Sequence, residues 1–190
     1  VRLFAAAEIG EAVARRVAAL VEDLRARVEA IGPRAKVTWI PADRLHLTIR
    51  FIGEVEYADV PRIRAVLRSP VRVAPFELSI AGAGSFPRSG APRVLWAGVV
   101  QGAPALLAIE RALTSRLAAA GIEPEPRPYR PHLTIARVRE PATLRAATLL
   151  EGLSEIGLGT AHIDAITLFE SRLSGKGSRY EPLERIQLEC

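Results

Sequence analysis

The sequence predicts an α+β fold. The expected molecule is duplicated and two-lobed, with two antiparallel-rich sheets facing a central cleft and helices on the outer faces. Three observations predict it. The tetrapeptide His-Leu-Thr-Ile occurs twice, at 46–49 and at 132–135. Each copy follows a long amphipathic stretch and precedes a proline-entered short helix and a further strand. The 190 residues are 49% hydrophobic and 25% charged, ordinary proportions for a chain that buries its own core. Residues 1–190 are therefore expected to form a single domain with pseudo-repeats at about 9–81 and 103–170.

Residues 1–6 read as a first strand. From Ile9 to Ile31 the apolar residues Ile9, Val13, Val17, Leu20, Val21, Leu24, Val28 and Ile31 recur every three or four positions, which predicts a helix ended by Gly32-Pro33. Residues 37–40 are strand-like, 41–43 a turn, and 45–52 a second strand closed by Gly53. A short helix opens near Asp59-Val60-Pro61, where proline suits the first turn. Residues 71–81 read as one strand, 82–92 as a loop rich in Gly, Ser and Pro, and 93–100 as a strand. Pro104 opens a second long helix, with Leu106, Ile109, Leu113 and Leu117 on one face and Gly121 at its end. A Pro-rich connector at 123–128 leads to a strand at 132–138, a short helix at 141–150 and a strand at 161–169. A turn at 174–178 and a last strand at 179–188 complete the chain.

Composition narrows the function classes. The lone cysteine, Cys190, allows neither an internal disulfide nor a cysteine metal cluster, which fits a reducing cytoplasm. Residues 1–7 are too short for a signal-peptide core, and charges interrupt every apolar run before membrane-span length, so neither leader nor membrane partner is expected. With no Met in the chain, removal of an initiator Met is expected. The net charge of +5, carried almost wholly by arginine, favours anionic partners such as RNA, although genomic arginine bias would produce the same balance. The glycines at 82–98 precede no Gly-Lys-Ser/Thr, so no P-loop is present. No sustained heptad stands out, and a monomer is expected.

The chemistry rests on strand alternation. Side chains in a strand alternate faces, so His46 and Thr48 share one face while Leu47 and Ile49 share the other. The same separates His132 and Thr134 from Leu133 and Ile135. The aliphatic pairs can pack under helices while the polar pairs face the cleft. A histidine gives or takes a proton near neutral pH, so two of them flanking a phosphorus can divide general base and general acid work. The Thr48 and Thr134 hydroxyls can donate to the non-bridging phosphate oxygens. A single His-x-Thr is more often a satisfied strand histidine; two copies at matching positions reverse that balance. Zinc normally takes four ligands, and each copy offers one strong ligand, so neither metal nor cofactor is expected.

At these residues the chain resembles the 2H phosphoesterase superfamily, and within it the RNA 2',3'-cyclic phosphodiesterases, formerly called 2'-5' RNA ligases. The matching segments are RLFAA at 2–6, HLTIRFIGEV at 46–55, GSFPRSGAPRVLWAGV at 84–99, YRPHLTIAR at 129–137 and SRLSGKGSRYEPL at 171–183. The resemblance implies a two-lobed fold around a cleft. It also implies hydrolysis of RNA 2',3'-cyclic phosphate ends to 2'-phosphomonoesters without a metal, with His46 as proton donor and His132 as proton acceptor. The two motifs are identical, so the residues alone do not separate those roles. Small cyclic nucleotides are an alternative substrate, 2'-5' ligation an alternative direction, and a non-catalytic module that binds RNA ends or nucleotides an alternative class.

Neighbouring residues extend the candidate site. Arg50 shares the parity of His46 and Thr48 and is a candidate phosphate contact, the alternative being a surface arginine near the strand end. Arg130 shares the parity of His132 and is a candidate phosphate or backbone contact, with Pro131 marking a strand start. Phe86, placed in the Gly-rich loop, can stack on a base, and Tyr129 is a second stacking candidate. Arg137 has the wrong parity for the cleft unless the strand bulges and is read as structural. Phe51 and Trp96 are read as core, and His162 as exposed. For Ser174 and Tyr180 a turn role and a cleft-edge role both remain open.

Overall fold

The apolar stripe at 13–28 winds into a helix, α1 (Gly10–Ile31), whose Val13, Val17, Leu20, Val21, Leu24 and Val28 are all buried. A strand, β1 (Arg2–Glu8), precedes it. After it come β2 (Lys36–Trp39), a 3-10 turn at Ala42–Arg44, β3 (His46–Glu54), a second 3-10 turn at Tyr57–Asp59, α2 (Val60–Leu67), β4 (Val71–Arg72), β5 (Phe76–Phe86) and β6 (Val94–Gln101). The second half continues through α3 (Ala103–Ala119), β7 (His132–Glu140), α4 (Ala146–Leu149), β8 (Gly157–Ile163), β9 (Ala165–Ser174) and β10 (Gly177–Glu189). The computed structural model describes residues 1–174 and 177–190. Part of the turn expected at 174–178 lies outside them.

The strands form two five-stranded sheets, in the orders β3-β1-β9-β10-β4 and β2-β7-β6-β5-β8. Pairing is antiparallel except where β4 lies parallel to β10. The α+β architecture of two antiparallel-rich sheets is thus the observed one. Leu47, Leu133, Ile135, Leu106, Ile109, Leu113 and Leu117 are each 0% exposed, placing the apolar face of both tetrapeptide strands in the core. Burying one such side chain contributes about 1.5–3 kcal/mol.

Three expected elements differ. Residues 71–81 are two strands in different sheets: β4 ends at Arg72, and the link through Pro75, which lacks an N–H, joins neither ladder and carries the chain from the first sheet to the second. Residues 161–169 likewise divide at Asp164, with β8 in the second sheet and β9 in the first. Residues 82–86, read as loop, continue β5. Gly82, at φ +71°, is the unpaired residue of a bulge between Ala81 and Ala83, beyond which the ladder with β6 resumes. Gly84 is required by close approach, because the Trp96 ring of β6 lies where its Cβ would be. Small residues there serve packing, which composition alone reads as a loop.

The halves of the chain are interlocked. β5 leaves the first half to pair with β6 and β8, while β9 and β10 return from the second half to pair with β1 and each other. The helices cross over too. α1 lies against β8 and α4, and α3 lies against β3 and α2. Arg27 of α1 donates to Glu151 O at 2.7 Å, and Arg116 of α3 donates to Pro70 O at 2.6 Å, tying each helix to the opposite half. No helix among the described residues is long and apolar enough to cross a membrane.

Candidate active site

Both histidines stand at the first residue of their strands, His46 on β3 and His132 on β7. Each is followed by the same burial sequence: Leu47, Ile49 and Arg50 are buried on β3, and Leu133, Ile135 and Ala136 on β7, with His and Thr half-buried. Two adjacent buried residues break strict alternation, and pairing shows why. Thr48 pairs with Ala6 and Arg50 with Ala5, leaving Ile49 without a partner on β1. Thr134 pairs with Trp96 and Ala136 with Leu95, leaving Ile135 without a partner on β6. Each strand therefore carries a β-bulge at the same residue of the tetrapeptide, and a bulge reverses the parity of everything beyond it.

The imidazoles are held alike. His46 Nδ1 lies 2.8 Å from Arg44 O, and His132 Nδ1 lies 2.6 Å from Arg130 O. A carbonyl only accepts, so Nδ1 carries the proton in each ring. In the neutral form the Nε2 lone pair is then the site left for proton transfer. Phe4 stacks on His46 at 4.8 Å between centroids, and Tyr180 meets its edge at 5.0 Å. Phe86 meets His132 edge-on at 5.1 Å. Burial pushes both imidazoles below the ordinary value of 6.5, the carbonyl bonds partly oppose that, and the Arg137 charge adds to the lowering.

A cavity of about 620 Å³ is lined by His46, Thr48, His132 and Thr134 together, with Arg2, Phe4, Phe51, Arg137, Ser171 and Tyr180. Two imidazoles, four hydroxyls and two guanidiniums line this one concavity, a set of groups able to hold an anion with a proton carrier on each strand. Among the described residues, no group of three or more His, Cys, Asp or Glu side chains is placed to hold a metal ion.

The sequence profile of the 2'-5' RNA ligase superfamily matches residues 12–174. The chain belongs to this superfamily. It is 32% identical over 99% of both chains to a protein of Methanothermobacter thermautotrophicus named RNA 2',3'-cyclic phosphodiesterase. Among solved structures it is similar to TT0787 of Thermus thermophilus, at TM-score 0.74 and 28% identity, covering 98% of this chain and 97% of that one. It is also similar to Escherichia coli LigT complexed with 3'-AMP, at TM-score 0.70 and 27% identity, covering 98% of this chain and 97% of LigT.

In this superfamily member the remaining candidates divide into three groups. Phe86, Tyr129 and Arg130 line a second cavity of about 560 Å³ that shares His132 with the first. Arg130 supplies its carbonyl to His132 while its side chain is exposed. Among the described residues the buried Tyr129 hydroxyl has no partner. Burial, and next the charges of Glu110 and Glu125, push its pKa well above the usual tyrosine value.

Arg50 is a correction. The bulge at Ile49 turns it away from the cleft into the interior. There it is 1% exposed, donates to Glu123 O at 2.6 Å and Phe51 O at 3.0 Å, and pairs with Glu125 at 3.2 Å. Phe51 and Arg137 are corrected in the opposite sense. They hold equivalent positions beyond the two bulges, and both line the first cavity. Arg2 lies over the Phe51 ring at 4.9 Å.

Trp96 is half-buried beside Phe86 rather than in the core. His162 is exposed and pairs with Glu77 at 2.6 Å. Tyr180 takes the cleft-edge place, and the Ser174 side chain lies outside what is described. Phe4, Arg2 and Ser171 were not singled out from the sequence. For Phe4 a signal existed, since the first strand reads Leu-Phe-Ala-Ala-Ala and its one large ring must find space on some face. For Arg137 the signal was the apolar doublet Ile135-Ala136, after which alternation restarts in the opposite phase.

Proposed function

We propose that this chain hydrolyses 2',3'-cyclic phosphate ends of RNA to 2'-phosphomonoesters, by two-histidine acid–base catalysis without a metal. The observation that carries the reading is that His46, Thr48, His132 and Thr134 line one cavity. The protein named RNA 2',3'-cyclic phosphodiesterase and the nucleotide complex of LigT support it.

The chemistry follows from the groups present. The cyclic phosphate sits between the strands, its non-bridging oxygens accepting from Thr48 and Thr134 and facing the Arg137 guanidinium. Water attacks phosphorus as His132 Nε2 takes its proton. The bond from phosphorus to the 3' oxygen breaks, and that oxygen takes the proton from His46 Nε2. The Nδ1 bonds to Arg44 O and Arg130 O hold each ring with Nε2 as the reacting nitrogen. The division of roles rests on the family resemblance, because the Arg137 charge lowers both imidazoles.

Whether the domain acts as one unit is part of the same proposal. The expected pseudo-repeats each supply one tetrapeptide strand, and the crossed strands and helices argue that residues 1–190 fold together. Ligation at the same site needs only a 5' hydroxyl in place of water, and the superfamily description includes it. The test uses a cyclic-ended oligoribonucleotide with EDTA present. His46→Ala and His132→Ala are each expected to lose at least about a hundredfold in kcat. Loss of wild-type turnover on adding EDTA, or near-normal activity in either variant, defeats the mechanism. Accumulation of a joined product when a 5'-hydroxyl RNA is supplied identifies ligation.

A further inference from the structure

The second cavity, beside His132, has walls that a phosphate site does not need. Phe86, Val94, Pro128 and Tyr129 give it apolar and aromatic surface, while Glu110 from α3 and Glu125 from the connector give it two carboxylates. Arg127 and Arg130, both exposed, line it too, so its charges balance, and what sets it apart from the neighbouring site is its two carboxylates. They are also only half committed. Glu110 Oε1 accepts from Thr114 Oγ1 at 2.7 Å, and Glu125 Oε1 accepts from the Phe51 N–H at 2.9 Å and faces Arg50 at 3.2 Å. Among the described residues neither Oε2 has a hydrogen bond within the protein.

Carboxylates repel phosphate, so an RNA backbone gains nothing from Glu110 and Glu125; Arg127 and Arg130 are the groups it would meet. A carboxylate only accepts hydrogen bonds, and the planar group of a nucleotide that offers several donors is the base. The four bases differ in that respect. Guanine presents its N1–H and N2 amino group side by side, two donors that match the two oxygens of one carboxylate. Adenine and cytosine present one amino group beside an acceptor, and uracil presents a single N–H between two carbonyls. Aromatic side chains stack on any base, so Phe86 and Tyr129 add affinity without choosing among them.

Resting on the cyclic-phosphate reading above, we propose that this cavity is the subsite for the terminal nucleobase and that Glu110 and Glu125 make it prefer guanine over uracil. His132 belongs to both cavities, which joins the base subsite to the phosphate site through the reacting group itself.

The experiment measures kcat/KM for guanosine and uridine 2',3'-cyclic monophosphates with the wild type, Glu110→Gln and the Glu110→Gln/Glu125→Gln pair. Glutamine keeps an oxygen for Thr114 and for the Phe51 N–H but cannot accept twice from guanine. The wild type is expected to favour guanosine by about tenfold or more, the size of one good bidentate pair. The ratio is expected to fall toward one in the double variant, mainly through the guanosine substrate. Equal wild-type values, or a ratio unchanged in the double variant, overturn the subsite.

If neither substrate turns over, the cyclic-phosphate reading fails by itself. Titration calorimetry with guanosine and uridine 3'-monophosphates then decides the subsite. Tighter guanosine binding that the double variant loses supports it, and equal affinities overturn it.

Discussion

Replacing Arg50 with methionine separates two accounts of the same residue. In the folded protein its guanidinium is buried, bonded to Glu123 O and Phe51 O and paired with Glu125. Methionine preserves much of the apolar volume but donates nothing. Two hydrogen bonds from a charged donor are lost, each contributing about 1.5–3 kcal/mol, and two carbonyls lose a partner. Against that, a buried charge and its unpartnered Nε disappear, and half-exposed Glu125 regains water. The net expectation is a loss of about 3 kcal/mol, the low end for breaking a buried ion pair by removing one partner. With a urea slope of about 2 kcal/mol per molar, the unfolding midpoint falls by about 1.5 M. Arg50 also fastens the connector that leads to His132, so kcat is expected to fall more than KM rises in the folded variant. A midpoint within about 0.3 M of wild type, which at that slope is well under 1 kcal/mol, refutes the buried-clamp account. A raised KM with unchanged stability and kcat restores the phosphate-contact role that strand alternation suggested.

Two further outcomes follow from the site. Both histidines titrate below their ordinary value, so kcat/KM is expected to be bell-shaped with its maximum on the acid side of pH 6.5, and Arg137→Gln is expected to move both limbs upward; a symmetric profile about neutral pH, or no movement, contradicts this. For stability the sign is opposite to that of a partnered histidine. The unfolded chain binds protons first as pH drops through 6.5, so stability declines from there through the lowered folded values, and His46→Gln with His132→Gln should flatten that decline in pH-dependent urea melts. Gly84→Ala is expected to cost about 2 kcal/mol, because the new methyl enters the Trp96 ring; calorimetry that finds the melting temperature unchanged dismisses the close approach.

The long helices, the tetrapeptide strands and the grouping of His46, Thr48, His132 and Thr134 were legible because each rests on local periodicity. An apolar stripe every three or four residues can be buried only as a helix. Alternation within His-Leu-Thr-Ile separates its faces whatever the sheet around it. Beyond the tetrapeptides that logic failed. A bulge is a property of a strand pair, and one unpaired isoleucine on each strand turned Arg50 inward and Phe51 and Arg137 outward. On β7 the Ile135-Ala136 doublet records the phase change. On β3 a buried arginine takes the second place, and no hydrophobic pattern marks it.

The tetrapeptide, read alone, determined which of its own side chains face the cleft and what proton chemistry they can support. Which strand joins which sheet was decided only in three dimensions. Pro75 and Asp164 lie in the links where the chain crosses between sheets, and each long helix covers a sheet assembled largely from the other half. Strand pairing and helix packing are long-range choices, set by which surfaces exclude water together. A single strand's sequence carries its own alternation but not the identity of its partner.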